Sequence, residues 1–266
     1  MFVLLSYKVF GTRGDWVVCL HGIGGSSSIF YRQVHELRRG YRVLLIDLPG
    51  HGDSGSIDTD SLSVASVVDE LIEVVDHLKI DRFHLFGVSL GTLLAHEWIK
   101  RGDGRIRSSI MAGGVIRFNR LGSLLVSGLR VVRSFIPLSW LYPVLAYVLM
   151  PRRSHRLSRG AFIKDARSVA ESDFQKWFGL LGEVEGIYDP IRLMNSGVSR
   201  YYITGENDYM FIEGVRSMID VGDDSVVAII SGAGHVCNID NHVEFNRLLL
   251  DILEAGSGEC ADGLAE

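Results

Sequence analysis

The chain has 266 residues, 47% of them hydrophobic, and a formal net charge of −5. That length and apolar content allow a large core without disulfide or metal staples, and the acidic balance excludes bulk nucleic-acid binding. Three cysteines (Cys19, Cys237, Cys260) form no paired framework and no metal-ligand spacing, so a reducing, cytoplasmic setting without metal or cofactor is expected.

The N-terminal run MFVLLSYKVFG lacks a basic start, is too short for a signal peptide, and reads as a first strand. Trp16 to Leu20 is a buried strand that runs into His21-Gly22-Ile23-Gly24-Gly25, where glycines let backbone N–H groups face an anion. Ser26 to Ser28 then caps a helix with Phe30, Val34 and Leu37 turned inward. Tyr41 to Ile46 is the next strand, followed by the tight loop Asp47-Leu48-Pro49-Gly50-His51-Gly52-Asp53-Ser54, which His51 is expected to structure. Ser61 to Leu78 reads as a long helix with an apolar stripe through Val67, Leu71 and Val75 and a solvated acidic face.

The next strand, from Phe83 to Phe86, ends at Gly87; Ser89 and Gly91 follow, then Leu93, Leu94, Ala95 and Trp98 at helical spacing. This is strand, sharp turn and helix with a serine at the tip. Such a turn strains the serine's backbone and leaves no room for side chains two residues to either side, a demand that Gly87 and Gly91 meet. The helix N-terminus beneath favours an anion forming at the serine. Ile106 to Met111 is a further strand, ending in Ala112-Gly113-Gly114. Alternating strands and helices predict an α/β fold whose mostly parallel sheet is covered on both faces. Ligands in such folds sit at the carboxyl ends of strands, where His21, Ser89 and Gly113 all fall.

From Val115 to about Ser196 no strand pattern appears. Leu121 to Met150 is apolar but broken by Arg130, Arg133, Pro137 and Pro143, which predicts short cap helices and no membrane span. Leu124, Leu125, Phe135, Trp140, Leu141, Tyr142 and Tyr147 are its candidates for shielding an apolar acyl group, with Trp140 and Tyr142 the expected substrate contacts. Ten basic residues lie between Val115 and Arg167 (Arg117, Arg120, Arg130, Arg133, Arg152, Arg153, Arg156, Arg159, Lys164 and Arg167), against the single acid Asp165. That charge suits a solvated face, an anionic substrate, or peripheral contact with an anionic membrane.

The sheet resumes at Arg200 to Thr204, with Gly205-Glu206-Asn207-Asp208 at its end, and again at Ser225 to Ile230, followed by Ser231-Gly232-Ala233-Gly234-His235. Val243 to Leu253 is a closing helix, and the small polar tail from Ala255 is expected to be disordered. The organisation is then a core of 1–114 and 197–254, a helical cap of 115–196, and a tail of 255–266.

A serine hydroxyl needs a base within hydrogen-bond reach, histidine suits that task at neutral pH, and the histidine needs a carboxylate to hold its tautomer. His235 lies at the same sheet edge as Ser89, with His242 the second candidate; Asp208 leads for the acid, ahead of Glu206.

With these residues in place the chain resembles the α/β-hydrolase superfamily from Trp16 to about Leu253. The resemblance rests on H-G-I-G-G at His21, D-L-P-G-H-G-D-S at Asp47, G-V-S-L-G at Gly87, G-E-N-D at Gly205 and G-H at Gly234. It implies an α/β-hydrolase fold with a helical cap, Ser89 as nucleophile, Asp208 as acid and His235 as base. The oxyanion hole would be the backbone N–H groups of Ile23 and Leu90. The implied partner is a small-molecule ester or thioester, with no cofactor. Hydrolysis of a carboxylic ester with an apolar acyl part is the expected reaction. Thioester hydrolysis or acyl transfer on coenzyme A or carrier-protein substrates, carbon–carbon cleavage, and ligand reception without turnover stay open.

Overall fold

In the computed structural model, which describes residues 4–132, 136–189, 193–220 and 225–256, seven strands form one sheet. They are β1 (Tyr7–Phe10), β2 (Trp16–Leu20), β3 (Arg42–Ile46), β4 (Phe83–Val88), β5 (Ile106–Ala112), β6 (Ser199–Gly205) and β7 (Val226–Ile230). Their order is β1-β3-β2-β4-β5-β6-β7; β1 pairs antiparallel with β3 and every other pair is parallel.

The strand sequences are apolar runs because both faces of the sheet are covered. Val18, Leu20, Leu85 and Met111 face one core, with α2 (Val64–His77) and α3 (Leu90–Lys100). Val17, Cys19, Phe86 and Ile110 face the other, with α1 (Tyr31–Leu37) and the C-terminal helix, whose Phe245, Leu249 and Leu253 are buried there. Successive residues thus alternate between two cores, as the pleat requires.

The boundaries depart from expectation where caps and turns act. Ser26 caps a short 3₁₀ turn, Ser27–Phe30, and α1 begins only at Tyr31. The helix expected from Ser61 begins at Val64, because Ser63 and Ser66 form a reciprocal capping box. The tail does not begin at Ala255: the last helix runs through Gly256, which sits against His84 and Ser108. Cys260 and the rest of the tail lie outside the described residues.

Between β5 and β6 the described residues hold no strand; the insertion is helical, with α4 (Arg120–Val132), α5 (Leu138–Leu149), a 3₁₀ turn (Arg153–His155), α6 (Arg156–Ala166), α7 (Glu171–Leu180) and α8 (Val184–Ile187). Pro137 precedes α5, but Pro143 lies inside it, where the buried flank of Tyr142 and Ala146 holds the helix across the lost hydrogen bond. Arg133 and Phe135 lie outside the described residues. Among those described, no helix is long and apolar enough to cross a membrane. After β6 come α9 (Ile212–Asp220), β7, α10 (Cys237–Asp240) and α11 (His242–Gly256).

Candidate active site

Ser89 occupies the turn between β4 and α3 with φ 53° and ψ −117°, a left-handed conformation that costs an ordinary residue about 1–3 kcal/mol. Close packing imposes it. A Cβ on Gly91 would stand 2.2 Å from the carbonyl oxygen of Leu20, and one on Gly87 2.6 Å from that of Gly91. The turn is pinned by Ser89 N–H donating to Ala112 O (2.9 Å) and by Thr92 N–H and Oγ1 donating to Ser89 O (2.8 and 2.6 Å).

His235, from the loop after β7, places Nε2 2.7 Å from Ser89 Oγ and Nδ1 2.9 Å from Asp208 Oδ2. An ionised carboxylate only accepts, so Nδ1 carries the proton and Nε2 is free to accept from the serine hydroxyl. Both partners are almost fully buried, at 2% for Asp208 and 4% for His235, and the Phe211 ring covers the imidazole at 4.8 Å. The two loops are tied together: Glu206 N–H donates to Ile230 O and Asn207 N–H to Ala233 O, each at 2.9 Å. Gly234 N–H donates to Asp240 Oδ2 at 2.9 Å.

Of the two carboxylates in the turn after β6, only Asp208 meets the histidine. Glu206 is exposed and accepts from Gly232 N–H (3.0 Å) and Ser231 Oγ (3.1 Å), bonds that hold its carboxyl below the usual range. His242 lies elsewhere, accepting from Arg32 at the start of α11.

The glycine loop after β2 is braced by two histidines. His21 Nδ1–H donates to Gly22 O (2.8 Å), and its Nε2 accepts from Leu48 N–H (3.0 Å). His51 Nδ1–H donates to Pro49 O, and its Nε2 accepts from Gly24 N–H, both at 3.0 Å. Burial pushes both rings down, His51 to about 3, so each stays neutral and keeps one nitrogen as an acceptor. Asp47 adds a third tie, accepting from Ser27 N–H at 2.7 Å and Asp53 N–H at 3.1 Å. His51 therefore structures both loops, as its place in the sequence suggested. The bracing sets Ile23 beside Leu90 and Ser89 in the wall of one pocket. Among the described residues, neither Ile23 N–H nor Leu90 N–H has an acceptor.

That pocket is apolar on all sides but Ser89 and His235. Ile23 comes from the loop after β2, Leu90 and Leu93 from α3, and Val115, Phe118, Val126, Leu145 and Phe178 from the segment between β5 and β6. A second apolar pocket opens on the other side of Ser89 between Ile29, Met150, Ala161, Phe162 and Ile239, sharing Ile23, Leu149 and His235 with the first. The expected cap contacts are not where the sequence reading put them. Trp140 lies on the outer surface, and Tyr142 is buried behind the pocket, edge-on to Phe174 with ring centroids 4.5 Å apart. Leu124 and Tyr147 are exposed as well, and Leu125 packs on the sheet core.

Several positioning residues had no sequence signal. Asp165 of α6 accepts from the hydroxyls of Ser26 (2.7 Å) and Ser28 (2.8 Å). Asp173 accepts from Ile57 N–H (3.2 Å), and Trp177 Nε1–H donates to Pro49 O (2.8 Å). Each bond spans more than 100 residues of chain. Together they dock the insertion on the two loops beside Ser89.

A family model described as the alpha/beta hydrolase family matches residues 17–248, which runs from Val17 in β2 through β7 and includes all of these loops. The chain belongs to the alpha/beta hydrolase family. Within this family it is similar, at 24% identity over 91% of its own length and 93% of the relative's, to a protein of Rhizobium rhizogenes named for carbamate hydrolysis, RutD. It is 32% identical to the (E)-2-((N-methylformamido)methylene)succinate hydrolase of Acinetobacter baylyi, over only 31% of each chain. Among solved structures, a carboxylesterase study of the thaumarchaeon Nitrososphaera gargenis supplies a fold match with TM-score 0.80 at 19% identity, covering 96% of both chains. These hydrolases are named for different bonds, so the bond this alpha/beta hydrolase cleaves has to be argued from its own site.

Proposed function

We propose that the protein hydrolyses carboxylic esters of neutral, apolar acids through an acyl-enzyme on Ser89. The observation that carries this reading is the unbroken chain Asp208–His235–Ser89, 2.9 and 2.7 Å long, opening onto an apolar pocket. His235 would take the serine proton as Oγ attacks the ester carbonyl, and Asp208 would stabilise the imidazolium that forms. Negative charge then develops on the carbonyl oxygen beside Ile23 N–H and Leu90 N–H, donors with no other partner among the described residues. His235 returns its proton to the leaving alkoxide and next activates water to release the acid.

The pocket walls favour a neutral substrate. Neither pocket beside Ser89 contains a lysine or arginine, and an anionic acyl part would lie there unpaired, at a cost. A succinate derivative, of the kind named for the Acinetobacter relative, lacks a counter-ion in these walls. A fluorophosphonate probe should label the protein once and leave Ser89→Ala unlabelled, and p-nitrophenyl butyrate should be turned over by the wild type alone. Labelling of the variant, or stoichiometric ester binding without turnover, would refute the assignment.

A further inference from the structure

The outer face of the helical insertion is apolar where a solvated surface should be polar. Leu124 of α4 is 71% exposed, and on α5 Trp140, Val144 and Tyr147 are 76%, 58% and 57% exposed. The α5 residues recur at spacings of four and three, so they form one stripe along the helix. Its opposite side is used inward, Leu145 and Leu149 in the pocket wall and Ala146 fully buried. A stripe of large exposed apolar side chains along one helix marks an interaction site.

Positive charge meets the stripe at Tyr147. The Arg159 guanidinium stacks on the Tyr147 ring at 4.3 Å, which brings the basic side of α6 against the apolar side of α5. Arg152, Arg153 and Arg156 are exposed nearby in sequence, Arg117 and Arg120 precede and open α4, and among the described residues none of the five forms an ion pair. From Val115 to Arg167 the formal charge is +9 (ten basic residues, one acid), on a chain whose total is −5. None of these arginines lines either pocket, so their charge does not serve to hold a substrate's anion beside Ser89.

We infer that the α4–α5 face docks on an anionic lipid surface. Trp140 and Tyr147 would sit at headgroup level, with Leu124 and Val144 reaching the acyl boundary and the arginines meeting lipid phosphates. An acidic protein partner would be served by the charges alone; the protruding aliphatic and indole groups fit hydrocarbon. The inference rests on the surface of the insertion and is independent of the ester-hydrolase reading.

Tryptophan emission and cosedimentation test it with vesicles of phosphatidylcholine alone and with added phosphatidylglycerol. Trp98 and Trp177 are fully buried and Trp16 is half-buried under Arg42, so a vesicle-induced blue shift reports Trp140. Binding should require phosphatidylglycerol at about 0.1 M salt and be lost near 1 M, as the Debye length falls to about 3 Å. Arg152→Ala with Arg153→Ala should weaken it about thirtyfold, and Trp140→Ser with Val144→Ser about tenfold or more. All four side chains are outside the pocket, so circular dichroism and ester turnover without lipid should match the wild type. Should a variant misfold, quenching of wild-type emission by brominated lipid reads the same contact. No binding to the anionic vesicles, no quenching, or binding that both double variants leave intact would overturn the inference. Binding to an acidic carrier protein with none to vesicles would replace the lipid by a protein.

Discussion

Gly22 and Ser89 stand at the ends of adjacent strands, and a Cβ on Gly22 would lie 3.0 Å from Ser89 Cβ and 3.4 Å from its Oγ. The glycine therefore sets how closely the β2 loop approaches the proposed nucleophile. Gly22→Ala should push Oγ from His235 and shift Ile23 N–H by a few tenths of an ångström. Misplacement on that scale lowers kcat by about tenfold or more, since alignment of reacting groups is steeply distance-dependent. Thermal stability should change little compared with Gly91→Ala, whose Cβ would meet the Leu20 carbonyl at 2.2 Å and should prevent folding. Unchanged kcat in Gly22→Ala would remove the loop's approach from the mechanism.

The turn after β6 separates its two carboxylates by direction. Asp208 points at His235 Nδ1, and Glu206 at Gly232 N–H and Ser231 on the surface. Asp208→Asn should lower kcat by about 10⁴, because an amide in this place no longer holds the tautomer that leaves Nε2 free. Glu206→Gln should keep most of the activity. Steady-state kinetics on one p-nitrophenyl ester compares the two, and a larger loss in Glu206→Gln would exchange their roles.

The sheet was legible because apolar runs bounded by glycine have few alternatives, and the Ser89 turn because its two glycines are sterically forced. The choice between Asp208 and Glu206 was only half legible, since residues two apart in a turn can each point either way. The insertion misled for a physical reason. α5 is apolar around most of its circumference, LSWLYPVLAYVL, so periodicity cannot say which side faces inward. Trp140 and Tyr147 took the outer side, and Leu145 and Leu149 the pocket. The long-range ties through Asp165, Asp173 and Trp177 leave no local pattern at all.

The pocket wall from the insertion predicts a length preference. Val126 and Leu145 close the end made by α4 and α5. Val126→Trp should fill that end and lower kcat/KM for an octanoyl ester at least about tenfold relative to the acetyl ester, as each excluded methylene forfeits about 0.8 kcal/mol. A series of p-nitrophenyl esters from acetyl to octanoyl measures the ratio. An unaltered profile would place the acyl chain in the second pocket, against Phe162 and Ile239, where Ala161→Trp should then have the same effect.

Stability should fall on acidification before most carboxylates titrate, and His84 is one cause. It is fully buried on β4, its Nδ1 paired with Ser108 Oγ at 2.8 Å and its Nε2 3.9 Å from Asp15. Burial pushes it from 6.5 to about 4; Arg107 adds to the depression and Asp15 opposes it. The folded protein thus holds His84 neutral while the unfolded chain takes up a proton below pH 6.5. Between those values the unfolded state binds more protons, so stability is complete above about pH 6.5 and declines toward pH 4. At about 1.4 kcal/mol per pH unit the loss from this one group is about 3 kcal/mol. His51, pushed to about 3, adds a parallel loss over a wider window. Urea unfolding at a series of pH values should give a steep wild-type decline and a shallower one for His84→Leu, even if the variant starts lower at pH 7. Equal slopes would show that His84 gains its proton without unfolding.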